Sequence, residues 1–131
     1  MENKTNNISE TEINQNGLKG MNQFISATEN IFEMITNNQL LKDAEQGDAD
    51  AQCILGSRFA TGDCVEKNEV KAAKWYRKAA EQGLARGQYN LAQRYRYGGG
   101  VDIDLTQAKY WYEKAAAQGH ENAKKQLDTL K

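Results

Sequence analysis

The sequence predicts an all-α protein built as a stacked array of helical hairpins. Three observations carry this prediction. First, Lys74-Trp75-Tyr76-Arg77-Lys78-Ala79-Ala80-Glu81-Gln82-Gly83 returns 36 residues later as Tyr110-Trp111-Tyr112-Glu113-Lys114-Ala115-Ala116-Ala117-Gln118-Gly119. A fixed period of this size marks stacked repeats, each unable to bury its apolar side alone. Second, the chain has no proline and no alternating β-branched run, and it is rich in Ala, Gln, Lys and Glu, which is a helical composition. Third, apolar residues recur every three to four positions along most of the chain, the spacing of a helix face.

The elements follow in order. Residues 1–17 are polar and Asn-rich. They lack periodicity and read as a disordered tail. Leu18, Met21, Ile25, Thr28, Phe32 and Ile35, with Phe24 and Ile31, form one stripe on a helix of about five turns. Asn37-Asn38 is expected to break it. A short helix from Gln39 then turns Leu40, Leu41 and Ala44 inward and ends at Gly47. Its Ala44-Glu45-Gln46-Gly47 repeats Ala80-Glu81-Gln82-Gly83 letter for letter. Residues 18–47 therefore read as an N-terminal capping helix and a degenerate repeat. The stripe spans fewer than three heptads, which favours a cap over a coiled coil. A homodimer through the Leu18–Ile35 helix is the alternative.

Two full units follow, 48–83 and 84–119, identical at fourteen aligned positions. Helix A of the first starts at Asp48, an N-cap type. It presents Ala51, Gln52, Leu55 and Phe59 on one side. The second unit offers Gly87, Gln88, Leu91 and Tyr95 there. The helices stop near Gly62 and Gly98, and Val65 and Val101 plug back towards the hairpin. Asn68 and Asp104 cap helix B, with Gln107 placed for a capping box. Helix B presents Ala72, Trp75, Tyr76, Ala79 and Ala80 and their mates 36 later. At this spacing both tryptophans belong to the core. Alanines beside aromatics let helices approach and interlock. Residues 120–131 form a C-terminal capping helix, with Ala123 and Leu127 matching Ala51 and Leu55 and with Lys124 and Lys125 on its wet face.

Bulk properties narrow the function. A net charge of −1 provides no field for nucleic acid or an anionic membrane. Residues 1–47 hold three lysines against seven carboxylates, too mild an asymmetry to name a partner. No apolar run approaches the ~20 residues of a membrane span. The N-terminus lacks the pattern of a signal peptide, so the expected location is the cytoplasm. Cys53 and Cys64 are separated by a helix, roughly 13 Å or more, which is too far for a disulfide. With only His120 as a third soft ligand, no metal site is expected. Nor is any cofactor or catalytic residue. His120 is the only histidine and sits at a turn. No Ser or Cys has a base partner by pattern. Gly98-Gly99-Gly100 lacks the Gly-Lys-Ser/Thr of a phosphate loop. Arg86, Arg94 and Arg96 with Tyr89 and Tyr97 are basic and aromatic, but their acidic neighbours oppose nucleic-acid binding.

Ala49, Ala51, Gln52, Leu55, Gly56, Phe59, Gly62, Val65, Lys71, Ala72, Trp75, Tyr76, Lys78, Ala79, Ala80, Gln82 and Gly83 together resemble the Sel-one-like repeat family, a relative of the tetratricopeptide repeat. The second unit matches as well, with Gly98, Gly100 and Val101 in its loop. Cys64 stands in place of a loop glycine, Ala92 of a helix A glycine, and Gly87 of an alanine. The resemblance covers about 44–130. It implies a tetratricopeptide-like, right-handed α/α superhelical solenoid of two full 36-residue repeats between capping helices. It also implies a scaffold or adaptor role, with helix A residues lining a concave groove for a protein or peptide. Carried over by register, the groove residues of the first unit are Asp50, Cys53, Ser57, Ala60 and Thr61. Those of the second are Arg86, Tyr89, Gln93, Arg96 and Tyr97. Arginine and tyrosine are enriched at binding hot spots, which draws attention to the second set. The expected function is non-catalytic protein binding in that groove. One alternative is an immunity or inhibitor protein that neutralises a specific toxin or enzyme, a role the resemblance allows for a compact stand-alone unit. A self-associating structural protein is a further alternative.

Overall fold

The computed structural model describes residues 37–130. The described fold is that of the compact unit that starts at Gln39. The tail expected at 1–17, the helix expected from Leu18 to Ile35 and the homodimer drawn through it lie outside the described residues.

Six helices and no strands occur among the described residues. They are α1 over 37–45, then α2 (Ala49–Thr61), α3 (Glu69–Glu81), α4 (Ala85–Tyr97), α5 (Leu105–Ala117) and α6 (Glu121–Thr129). Helices α2 and α3 form one hairpin and α4 and α5 the next. Between them α3 packs on α4, and α5 packs on α6. In repeat terms α2, α4 and α6 are A helices, and α3 and α5 are B helices.

Helices α2, α3 and α5 begin where side chains supply the missing acceptors of a first turn, whereas Leu84 before α4 makes no such bond. Asp48 Oδ1 accepts from the Ala51 N–H at 3.0 Å, Asn68 Oδ1 from Lys71 at 3.0 Å and Asp104 Oδ1 from Gln107 at 3.1 Å. The α1, α3 and α5 ends close alike. Asp48, Leu84 and His120 each donate a backbone N–H to the carbonyl five residues back, and Gly47, Gly83 and Gly119 to the carbonyl three back. These bonds define the Schellman motif.

The core follows the predicted periods. Ala72, Tyr76, Ala79, Ala80, Leu91, Ala92, Ala108, Trp111, Tyr112, Ala115 and Ala123 form one buried cluster with Cys53. A smaller cluster joins Ala44, Ala51 and Leu55. The approach between repeats is close. A Cβ at Gly87 would lie 2.8 Å from the Ala79 Cβ, so this contact requires glycine.

Two buried glutamines stitch successive units together. Gln52 Nε2 donates to the Ala44 carbonyl at 3.0 Å, and Gln88 Nε2 to the Ala80 carbonyl at 3.2 Å. Each then accepts from the glutamine closing its own hairpin, Gln82 at 2.8 Å and Gln118 at 3.0 Å. The carbonyls come from last helical turns, where backbone acceptors lack the regular helical partner; besides the glutamine each takes only the Gly47 or Gly83 N–H of the closing turn or its neighbour. Both glutamines are only 4% exposed, so the ladder satisfies polar groups that burial would otherwise penalise.

Three details differ from expectation. Helix α1 takes in Asn37 and Asn38 and so reaches further back than the start expected at Gln39, since asparagine lowers helix propensity by well under ~1 kcal/mol; the break expected after residue 35 lies outside the described residues. Leu41 is exposed, whereas Leu40 and Ala44 face inward. Positions four apart share a stripe and their neighbour does not. Trp111 is buried as predicted, but Trp75 is half-buried against the smaller cluster, with the Lys78 ammonium over its ring. Neither Cys53, inside α2, nor Cys64, in the following loop, forms a disulfide among the described residues.

Candidate functional site

The A helices carry the candidate residues, and the repeat brings them side by side. Arg86 Nη2 on α4 pairs with Asp50 Oδ1 on α2 at 3.2 Å. Both side chains are more than half exposed, so this bridge contributes little stability. One turn further along, Asn90 Nδ2 approaches Cys53 Sγ at 3.6 Å. Its thiol contact first, and the nearby Asp50 carboxylate, raise the Arg86 pKa, partly opposed by desolvation.

Cys53 does not belong on an exposed face. It is 2% exposed and part of the core cluster, because α4 lies over it through Asn90. Ser57 is exposed and Ala60 is half-buried against the core. Thr61 turns its hydroxyl back to the Ser57 carbonyl at 3.0 Å.

On α4 the candidates divide. Tyr89 is half-buried, with its ring stacked on His120 at 4.6 Å and tilted against Tyr112 at 5.8 Å. Gln93 accepts the Tyr112 hydroxyl. These two side chains hold the hairpin together. Arg96 and Tyr97 lie at the C-terminal end of the same helix. Arg96 Nη1 donates to Gln126 Oε1 at 2.6 Å and to Thr129 Oγ1 at 2.7 Å, both on α6. Its guanidinium lies 5.4 Å from the centre of the Tyr97 ring. Tyr97 is 64% exposed. Beneath them, burial lifts the Tyr112 hydroxyl to about 12, although Arg96 beside it pulls the other way. Burial also raises Tyr76, the matching residue one repeat earlier, against a hydrogen bond from Ser57.

Sequence reasoning missed four participants. His120 is the N-cap of α6, with Nδ1 accepting the Ala123 N–H at 3.2 Å. Its place 36 residues after Leu84 and 72 after the capping Asp48 was the available signal. Asn90, Gln126 and Thr129 also reach across between A helices. The same offset puts Gln126 in register with Asn90 and Thr129 with Gln93.

A shallow cleft of about 450 Å³ between α5 and α6 contains none of the candidates. It is lined by Lys109, Glu113, Lys124, Leu127, Asp128 and Leu130. Lys109 and Asp128 occupy the register of the buried Ala73 and Ala92, so charged side chains stand here beside the apolar Leu127 and Leu130. Among the described residues, no group of three or more His, Cys, Asp or Glu is placed for a metal ion, and no helix is long and apolar enough to cross a membrane.

Helical hairpins at a fixed 36-residue period, joined by a buried glutamine ladder, define a helical-repeat solenoid. A family model described as Sel1 repeat matches residues 49–84 and 85–120, and the chain belongs to the Sel1 repeat family. Among solved structures it is similar to a Sel1 repeat protein from Oxalobacter formigenes, with 47% identity and a TM-score of 0.68 over 69% of this chain and 68% of that one. It is similar to a protective antigen of uropathogenic Escherichia coli strains displaying an SLR fold, with 42% identity and a TM-score of 0.69. That match covers 71% of this chain and 20% of the antigen. It is also similar to cysteine rich protein B of Helicobacter pylori, with 32% identity, a TM-score of 0.62 and coverage of 64% and 63%. No curated protein sequence matches the chain. Sel1 repeat proteins generally mediate protein–protein interaction and are typically non-catalytic scaffolds.

Proposed function

We propose that the chain is a cytoplasmic, non-catalytic interaction module that holds a segment of another protein along its A helices, with Arg96 and Tyr97 at the centre of the contact. One observation carries this reading. Within a duplicated scaffold, the unrepeated large side chains Arg86, Arg96 and Tyr97 gather on one A helix, and Tyr97 stays 64% exposed. An exposed tyrosine stacked by an arginine offers rigid area with a polar tip, the residue types that dominate binding energy at interfaces. Asp50, Ser57 and Arg86 extend the surface towards α2, while Tyr89 and Gln93 support it from below. Cys53 takes no part, since it is buried.

A photo-cross-linking amino acid at Tyr97, introduced into the full chain in its host, tests the proposal. The expected result is a discrete adduct with a partner protein, absent when the cross-linker replaces the exposed Lys74 on α3. One stoichiometric enzyme or toxin in the adduct identifies an inhibitor, and several partners identify an adaptor. Equal labelling from the two sites overturns the proposal.

A further inference from the structure

Helix α4 carries three arginines, and they are not treated alike. Arg86 is paired with Asp50 and Arg94 with Glu69, at 3.2 and 3.3 Å. Arg96 meets no carboxylate among the described residues. Its Nη1 is held instead by an amide oxygen and a hydroxyl, those of Gln126 and Thr129. Neutral acceptors orient a guanidinium without cancelling its charge. The planar fork is then fixed between two helices, with a tyrosine ring against it and its charge uncompensated among the described residues. Resting on the interaction reading above, we infer that Arg96 takes an Asp or Glu side chain from an extended segment of the partner protein, with an apolar or aromatic neighbour laid over Tyr97.

The chemistry follows from the parts. A guanidinium matches a carboxylate through two parallel N–H donors, and such charge-assisted bonds are about twice as strong as neutral ones. The bonds to α6 already restrict Arg96, so less side-chain freedom is lost on binding. Tyr97 supplies the apolar area that a lone surface ion pair lacks. Charge complementarity thus selects an acidic segment over a neutral or basic one.

The test uses the full chain and an end-blocked nonapeptide library, randomised over Asp, Asn, Glu, Gln, Phe and Leu in equal amounts. Peptides retained by the immobilised protein are sequenced. The expected result is enrichment of carboxylate over amide by about tenfold at one position, next to Phe or Leu, as one charge-assisted pair supplies. The enrichment shrinks with added salt, because surface charges are screened. It is lost in Arg96→Gln, partly retained in Arg96→Lys, and unchanged in Lys78→Gln on α3. Circular dichroism melting of each variant separates lost recognition from a loosened α6. No enrichment, enrichment indifferent to salt, or enrichment surviving in a folded Arg96→Gln overturns the inference. If cross-links from Tyr97 still capture a partner, the interaction reading stands and only its acidic chemistry falls. If the cross-links fail as well, both fall.

Discussion

The hairpins α2–α3 and α4–α5 share a frame and differ on one surface. The frame is duplicated where it holds units together. Gln52 and Gln88 make the same bonds, and Asn68 and Asp104 cap the same helix start. Even the loop conformation is kept when the residue changes. Gly100 at φ 78 is matched by Cys64 at φ 64, a non-glycine residue in the left-handed region that is sparsely populated for side chains. On the A helices the copies part company, with Asp50 against Arg86, Cys53 against Tyr89, Ser57 against Gln93 and Thr61 against Tyr97. Repetition therefore reports what the array needs to stack. Its lapses report what a partner can distinguish.

The strongest way to break the equivalence of the copies is at the tryptophans. Trp111 is 7% exposed and belongs to the main buried cluster, whereas Trp75 is half-buried on the smaller one. Trp111→Ala should cost about 3–5 kcal/mol, as large-to-small core changes do. Trp75→Ala should cost roughly half of that, in proportion to the area it hides. Urea unfolding followed by circular dichroism measures both. Equal losses contradict the difference in packing.

The buried tyrosines provide the next test. Tyr112 is raised by burial from 10.0 to about 12. The unfolded chain loses this proton first, so the contribution to stability is complete below pH 10 and disappears as pH rises towards 12. Its size is on the order of 2–3 kcal/mol. Tyr76 is raised too, so stability should fall across this window through both copies. Tyr112→Phe should flatten part of that fall in urea midpoints taken between pH 9 and 12. An unchanged slope places the Tyr112 hydroxyl in water.

Much of this frame was legible in the sequence, because a repeat is a signal that needs no neighbour to interpret it. The period fixed the register of Trp111, Tyr112 and Leu91, and local chemistry identified Asp48, Asn68 and Asp104 as caps. The candidate site was legible only in part. A helix wheel turns Cys53 outward, since it contains nothing of the next A helix, which covers that sulfur with Asn90. The wheel likewise leaves Tyr89 free, although His120 stacks on it from 31 positions away. Arg96 was identified by residue type, but its partners Gln126 and Thr129 sit in what reads as a plain capping helix. Contacts between helices distant in sequence decide which side chains stay free, and composition does not encode them.

The glutamine ladder sharpens the comparison from the other side, since here the copies should behave alike. Gln88→Leu removes one of the donors to the Ala80 carbonyl, which keeps the Gly83 N–H, and one of the two acceptors of Gln118. Gln52→Leu removes the side-chain donor to the Ala44 carbonyl, which keeps the Gly47 N–H, and the acceptor of Gln82. Each should lower stability by about 1–3 kcal/mol, two lost hydrogen bonds at roughly 0.5–1.5 kcal/mol apiece. The two losses should agree within roughly 0.5 kcal/mol, the scatter of independent sites. A wide gap shows that one ladder is structural and the other incidental.

The smallest effect expected on the fold is the most informative about function. Tyr97 is 64% exposed, and its ring meets the Arg96 guanidinium. Its counterpart in the first unit is Thr61. Since the array accepts threonine at that register, Tyr97→Ala should shift stability by no more than about 0.5 kcal/mol, as surface changes usually do. The cation–π contact it loses is worth a similar amount at an exposed site. Partner capture should drop sharply in the same variant, as truncation of a central tyrosine does at interfaces. A protein that melts unchanged and binds unchanged puts Tyr97 outside the contact. One that unfolds shows that its ring supports the array, and then the division between shared frame and variable surface fails at the residue chosen to represent it.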